Sequence, residues 1–141
     1  DHDDAYANAP HIPGAADYPA RWRAAARAWS AEWAETGRCR VGLSYGPGAR
    51  HVFDLFQPAG PARGLVVFVH GGYWLKFDCS MWSHLAAGPL MRGWGDALPS
   101  YDLCPDVRIS AITRQVAQAV TAAAGVTSKV GLADSIPSRP S

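Results

Sequence analysis

Apolar residues first recur at a helical spacing along residues 18–35. Trp22, Ala26, Trp29 and Trp33 fall at i, i+4, i+7 and i+11, which places them on one face. Asp17 can serve as N-cap, Pro19 sits in the first turn where its missing N–H costs little, and Gly37 suits the position just past the end. Arg21, Arg23 and Arg27 lie off the tryptophan stripe, so the pattern predicts a helix packed on a sheet with its basic side in solvent. The period then drops to two. Val41, Leu43 and Tyr45 alternate, Gly46-Pro47-Gly48 breaks the run, and residues 51–56 resume it, which predicts an antiparallel pair at a sheet edge. Residues 65–69, Leu-Val-Val-Phe-Val, are apolar without alternation, as in a strand buried on both faces of a parallel sheet.

A helix is predicted over residues 80–92, capped by Asp78 or Ser80, ended by Gly93, and kinked or split at Pro89. Residues 94–99 should form the next parallel strand, yet Gly95-Asp96 stands where apolar residues are wanted. A carboxylate buried there without a partner costs several kcal/mol or is held neutral. Asp96 therefore has a partner, is a damaging substitution, or lies at the strand's end in a shifted register. Ile109, Ile112, Val116, Val120 and Ala123 repeat at i, i+3, i+7, i+11 and i+14, a helix that would return the chain by a right-handed crossover. The order of elements predicts an α/β fold with antiparallel leading strands, then parallel strands with flanking helices.

Composition narrows the class. The 141 residues are 48% hydrophobic and 18% charged, values of a folded domain with a real core. The formal net charge of +1 suggests neither nucleic acid nor an anionic membrane as partner. No apolar run approaches the length of a membrane span, and no signal-peptide pattern opens the chain. Cys39, Cys79 and Cys104 are too widely spaced for a zinc pattern or a disulfide framework, so reduced thiols in a cytoplasmic setting are expected. Cys79 has no neighbouring base to make it a nucleophile. His2 and His11 lack a third ligand at a matching spacing and read as solvated, and no metal or cofactor is implied.

The candidate chemistry follows the apolar run. His70-Gly71-Gly72-Tyr73-Trp74 turns sharply at what should be the carboxyl end of a strand, where open α/β sheets bind ligands. On spacing alone, a plain turn explains these residues equally well. Set beside Tyr101-Asp102-Leu103-Cys104-Pro105, however, the pentapeptide resembles the HGG-type loop of α/β-hydrolase esterases, in the version seen in kynurenine formamidase-like (arylformamidase-like) hydrolases. The resemblance covers roughly residues 5–124. It implies that the backbone N–H groups of Gly72 and Tyr73 stabilise a developing oxyanion, that His70 and Gly71 shape the substrate-binding loop, and that Trp74 lines the acyl or aryl pocket. It also implies a small-molecule ester or aryl formamide as substrate, with no nucleic acid or membrane partner. In that setting His84 reads as structural, because the catalytic base of such enzymes comes late in the chain. Asp102 is discounted as the catalytic acid for the same reason.

Three segments result: an N-terminal arm over residues 1–17 that contributes to the region over the site, a partial hydrolase core over 18–124, and a tail over 125–141. The tail is rich in Ser and Pro, with at best a stub of strand at 130–133, and is expected to be disordered. No Gly-x-Ser-x-Gly follows the last helix, so the Ser/Asp/His triad is missing and the 141 residues are expected to be inactive alone. The alternatives are a non-catalytic module that binds a small molecule at the loop, and a truncated product without function.

Overall fold

In a computed structural model, residue 4 and residues 6–133 are described, the last five of these by their backbone only. Helix α1, Tyr18–Glu35, has the predicted bounds, with Pro19 in its first turn and Gly37 beyond its end at φ 69°. Strands β1, Cys39–Ser44, and β2, Val52–Phe56, form the predicted antiparallel pair. Their register shifts between Arg40 and Leu43, where Gly42 takes φ 67° and points its N–H at Asp54 Oδ1, 2.9 Å away. A side chain would be strained at that bulge, so glycine is required.

Strand β3, Leu65–Val67, is followed by short 3₁₀ turns at Cys79–Met81 and Ser83–Ala86, then helix α2, Ala87–Met91. The predicted 80–92 helix is thus broken, but not by Pro89. That residue lies in the first turn of α2, where no N–H is needed, and the interruption comes earlier. Asp78 opens the segment by accepting the Ser80 N–H at 2.9 Å, and Gly93 closes it at φ 77°. Strand β4, Gly95–Pro99, is buried at all five positions.

The sheet order is β1-β2-β4-β3, with β4 antiparallel to β2 and parallel to β3. This corrects the reading of residues 65–69 as a strand buried on both faces. Among the described residues β3 pairs on one side only, is three residues long, and leaves Val66 37% and Val69 44% exposed. On one face of the sheet Phe56 and Leu98 pack with Cys79, Ala86, Leu90, Trp29 and Trp33. On the other, Phe53, Leu55 and Ala97 pack with Ala123 and Val126 of helix α3, Ile109–Ala133.

Two expectations about α3 are corrected. Its buried side is Ile112, Gln115, Ala119 and Ala123, while Ile109 and Val120 are 50% and 40% exposed. Ile112 and Ala123 of the predicted stripe are buried as expected, the small Ala119 beside them lets the helix approach closely, and Ile109 and Val120 take the flank. The helix also continues through residues 125–133, where a disordered tail and a strand stub were expected. Val126 extends the stripe of Ala119 and Ala123 against the sheet and carries the helix past Gly125. The remainder of the expected tail, 134–141, lies outside the described residues. None of the described helices is long and apolar enough to cross a membrane.

Asp96 sits mid-strand, opposite Phe56 on β2 and Val66 on β3, and is 1% exposed. Its Oδ1 has no hydrogen-bond partner among the described residues. Burial pushes its carboxyl up to about 7, opposed in part by the Ala97 backbone N–H. Of the three readings, a place at the strand's end is not found, and the only partner is the Ala97 backbone N–H, which leaves Oδ1 without one among the described residues.

Candidate functional site

Residues 70–77 leave the carboxyl end of β3 and turn back on themselves. Gly72 has φ 116°, and Tyr73, Trp74 and Phe77 take left-handed values of 54°, 59° and 77°. Non-glycine residues in this region cost on the order of 1–3 kcal/mol each and persist only where the surroundings impose them. The turn is tight enough that a Cβ on Gly72 would lie 2.6 Å from the Lys76 carbonyl oxygen. Leu75 N–H donates to the Gly72 carbonyl at 3.0 Å, and Cys104 N–H donates to the Trp74 carbonyl at 2.7 Å. Among the described residues, no acceptor is hydrogen-bonded to the backbone N–H of Gly72 or Tyr73.

His70 is the foundation of this loop. It is 3% exposed and stacks on Tyr101, with ring centroids 4.4 Å apart and planes 8° from parallel. Tyr101 O–H donates to the His70 carbonyl at 2.6 Å. His70 Nδ1 lies 2.8 Å from the Gly71 carbonyl, which can only accept, so the proton belongs on Nδ1 and Nε2 is left bare. Burial lowers the imidazole's pKa and keeps it neutral. Arg50, in the turn after β1, donates to the Tyr101 carbonyl at 2.7 Å and to the Phe77 carbonyl, tying together the segments on either side of the loop.

A second network braces the same end of the sheet. His51 Nδ1 accepts the Gly48 N–H at 3.1 Å, so its Nε2–H donates to Asp102 at 2.9 Å. Gln115 of α3 donates to Asp102 at 2.7 Å. Burial of the Asp102 carboxyl works against its charge, but the hydrogen bonds from His51 and Gln115 prevail and its pKa is lowered. With both His51 nitrogens engaged, the pair is a strut joining the β1–β2 turn to α3. Cys79 is buried, and burial followed by the Asp54 charge pushes its thiol up to about 12, which suits a packed side chain and not a nucleophile.

Around the loop lies a cavity of about 1310 Å³. Its walls come from the loop, from Tyr18 and Trp22 of α1, from Trp82, and from arm residues including Asn8 and Ile12. The rings form a continuous wall: Trp22 lies 5.1 Å from Trp82, and Phe77 lies 5.8 Å from Trp82. Asn8 Nδ2 donates to the Tyr73 hydroxyl at 3.3 Å, which pins the arm across the loop. Of the residues singled out from sequence, Gly71, Gly72, Tyr73 and Trp74 border this space together, and His70 borders it from beneath. The sequence reading assigned Trp22 to the core stripe and gave no role to Arg50, Phe77 or Trp82. Only the aromatic content around residues 73–82 hinted at the wall.

Antiparallel β1, β2 and β4, parallel β3 beside β4, and a glycine turn at the end of β3 are the N-terminal portion of the α/β-hydrolase fold. Over 76 residues, 52% of the chain, the sequence is 42% identical to kynurenine formamidase of Drosophila melanogaster, and this stretch is 25% of that protein. A thioesterase candidate from Silicibacter sp. tm1040 superimposes with a TM-score of 0.83 at 61% identity, over 86% of this chain and 46% of its own. Esterase B of Lactobacillus Rhamnosis (HN001) shares the fold, with a TM-score of 0.54 at 16% identity over 72% of this chain and 39% of its own. The chain therefore spans between a quarter and about half the length of the relatives it matches. No family model matches it.

Proposed function

We propose that residues 70–74 are the oxyanion site of a hydrolase that cleaves a carboxylic ester or an aryl formamide through a Ser acyl-enzyme. The carrying observation is the pair of consecutive N–H groups at Gly72 and Tyr73, held in left-handed backbone at the border of an aromatic cavity with no acceptor among the described residues. Two donors fixed in this way meet a developing negative charge with no reorganisation. Gly71 and the His70–Tyr101 stack set the loop's course, and Trp74 faces the acyl or aryl group. The arm over residues 1–17 covers the site, and the core over 18–124 presents it. The likeness to a kynurenine formamidase favours, of the two substrate classes, an aryl formamide of the N-formylkynurenine kind, whose cleavage would release formate.

The nucleophile, its base and the orienting acid are not among the described residues. Hydrolysis by the 141 residues alone is therefore expected to fall on the order of 10⁶-fold below that of a complete enzyme. The test compares ester and aryl formamide hydrolysis by these residues alone and within the full product of their reading frame. Gly72→Ala in the full product should lower kcat by about 10²–10³-fold by displacing the two N–H donors, and should lower the unfolding midpoint too, because its Cβ would lie 2.6 Å from the Lys76 carbonyl oxygen. Unchanged kcat in that variant would remove the oxyanion assignment. If neither protein hydrolyses either substrate, the second reading gains: a non-catalytic module that binds a small molecule in the same aromatic cavity.

A further inference from the structure

We propose that Lys76 is the anion anchor of the cavity, and that its ligand is an apolar, ring-bearing molecule carrying one carboxylate. Among the described residues, the cavity wall contains eight Phe, Trp and Tyr side chains and a single formally charged one, Lys76, and no Asp or Glu lines it. Lys76 belongs to the loop itself. Its Cγ would lie 3.3 Å from a Cβ on Gly72, and its Nζ sits 5.3 Å from the centroid of the Phe77 ring, another wall of the cavity. The cation is thus held at the aromatic surface beside the glycine turn, where a cation–π contact restrains it without neutralising it. Among the described residues no carboxylate forms a salt bridge with it. Asp78, two positions on, already accepts from the Ser80 N–H and O–H at 2.9 and 2.6 Å, and Asp4 of the arm lies 3.8 Å from His11. Behind Phe77 the Arg50 guanidinium adds positive potential of its own.

An apolar cavity with one unneutralised cation at its border selects by charge. A ring packs on Trp22, Phe77 and Trp82 in either a neutral or an anionic ligand, but only the anion gains from Lys76. The assignment rests on the hydrolase reading for the ligand's status as a substrate, while binding itself needs no turnover. The experiment titrates the 141-residue chain by calorimetry with two probes of one shape, 3-phenylpropanoate and 3-phenylpropanol. The carboxylate should bind about threefold to fivefold more tightly at low salt, the scale of one exposed ion pair, and the preference should shrink at high salt. Lys76→Met should abolish the preference and leave the alcohol's affinity unchanged, and Lys76→Arg should keep it. Equal affinity for both probes, a preference that persists in Lys76→Met, or failure to bind either probe would overturn the proposal. Carboxylate preference with no hydrolysis by the full reading-frame product sinks the hydrolase reading alone. Equal probe binding beside normal hydrolysis sinks the anchor alone.

Discussion

Asp96 should make this protein less stable as the solution turns from acid to neutral. Its carboxyl is 1% exposed between Phe56 and Val66, and burial raises its pKa from 3.8 to about 7. In the unfolded chain the same group ionises near its ordinary value. Between about pH 4 and pH 7 the folded protein therefore holds a proton that the unfolded chain has lost, and each pH unit gained removes about 1.4 kcal/mol of stability. The stability is fully present below the unfolded pKa and lost as pH rises through the folded one. Over the three or so units between the two values, this sums to about 4 kcal/mol, a large share of a domain's usual 5–15 kcal/mol. Asp54, also buried and pushed upward by burial, adds to the slope in the same direction. The assay is urea unfolding followed by tryptophan fluorescence at a series of pH values. Asp96→Asn should flatten most of the slope and leave the variant more stable than the parent at neutral pH. Asp96→Val, which also removes the orphaned polar atom, should gain further. A parent whose stability is level or rising from acid to neutral pH, with the same profile in Asp96→Asn, would refute the reasoning.

Other residues give sharper local readouts. Tyr101→Phe removes the hydroxyl that donates to the His70 carbonyl and should cost about 1–3 kcal/mol in a urea titration, because that acceptor is left buried and unpaired. Gln115→Leu removes one of the donors that lower the Asp102 pKa. That carboxylate contributes stability above its unfolded pKa and loses it as pH falls through the folded one, so the variant's acid unfolding should begin at higher pH, as circular dichroism would record. With Cys39 and Cys104 replaced by serine, Cys79 should react with a thiol reagent only as fast as the chain unfolds, since its thiol is buried and pushed up to about 12. Rapid reaction in the folded state would contradict that placement.

Local periodicity carried the parts of the fold that need no distant partner. Helix α1 announced itself by a tryptophan stripe, a proline in the first turn and a glycine at φ 69°, all within twenty residues of one another. The β1–β2 pair did so by alternation around a Gly/Pro turn. What misled was burial that depends on packing at a distance. The apolar run at 65–69 suits a strand covered on both faces, and the structure leaves Val66 and Val69 partly exposed. In α3 the stripe was read correctly at Ile112 and Ala123, but the buried side also takes Gln115 and Ala119 and leaves Ile109 and Val120 on the flank. The loop at 70–74 was legible for a different reason. Two glycines after an apolar run are a local demand for unusual backbone, and the structure meets that demand at Gly72 and extends it into Tyr73 and Trp74. The cavity around it was not legible, because its walls come from the arm, α1, the loop and Trp82, and its brace, Arg50, reaches carbonyls 27 and 51 positions away. A sequence states where backbone must bend and leaves unsaid what will stand opposite the bend. For this reason the unusual backbone of residues 70–74 could be anticipated from the chain, while the charge selectivity proposed for Lys76 required the cavity.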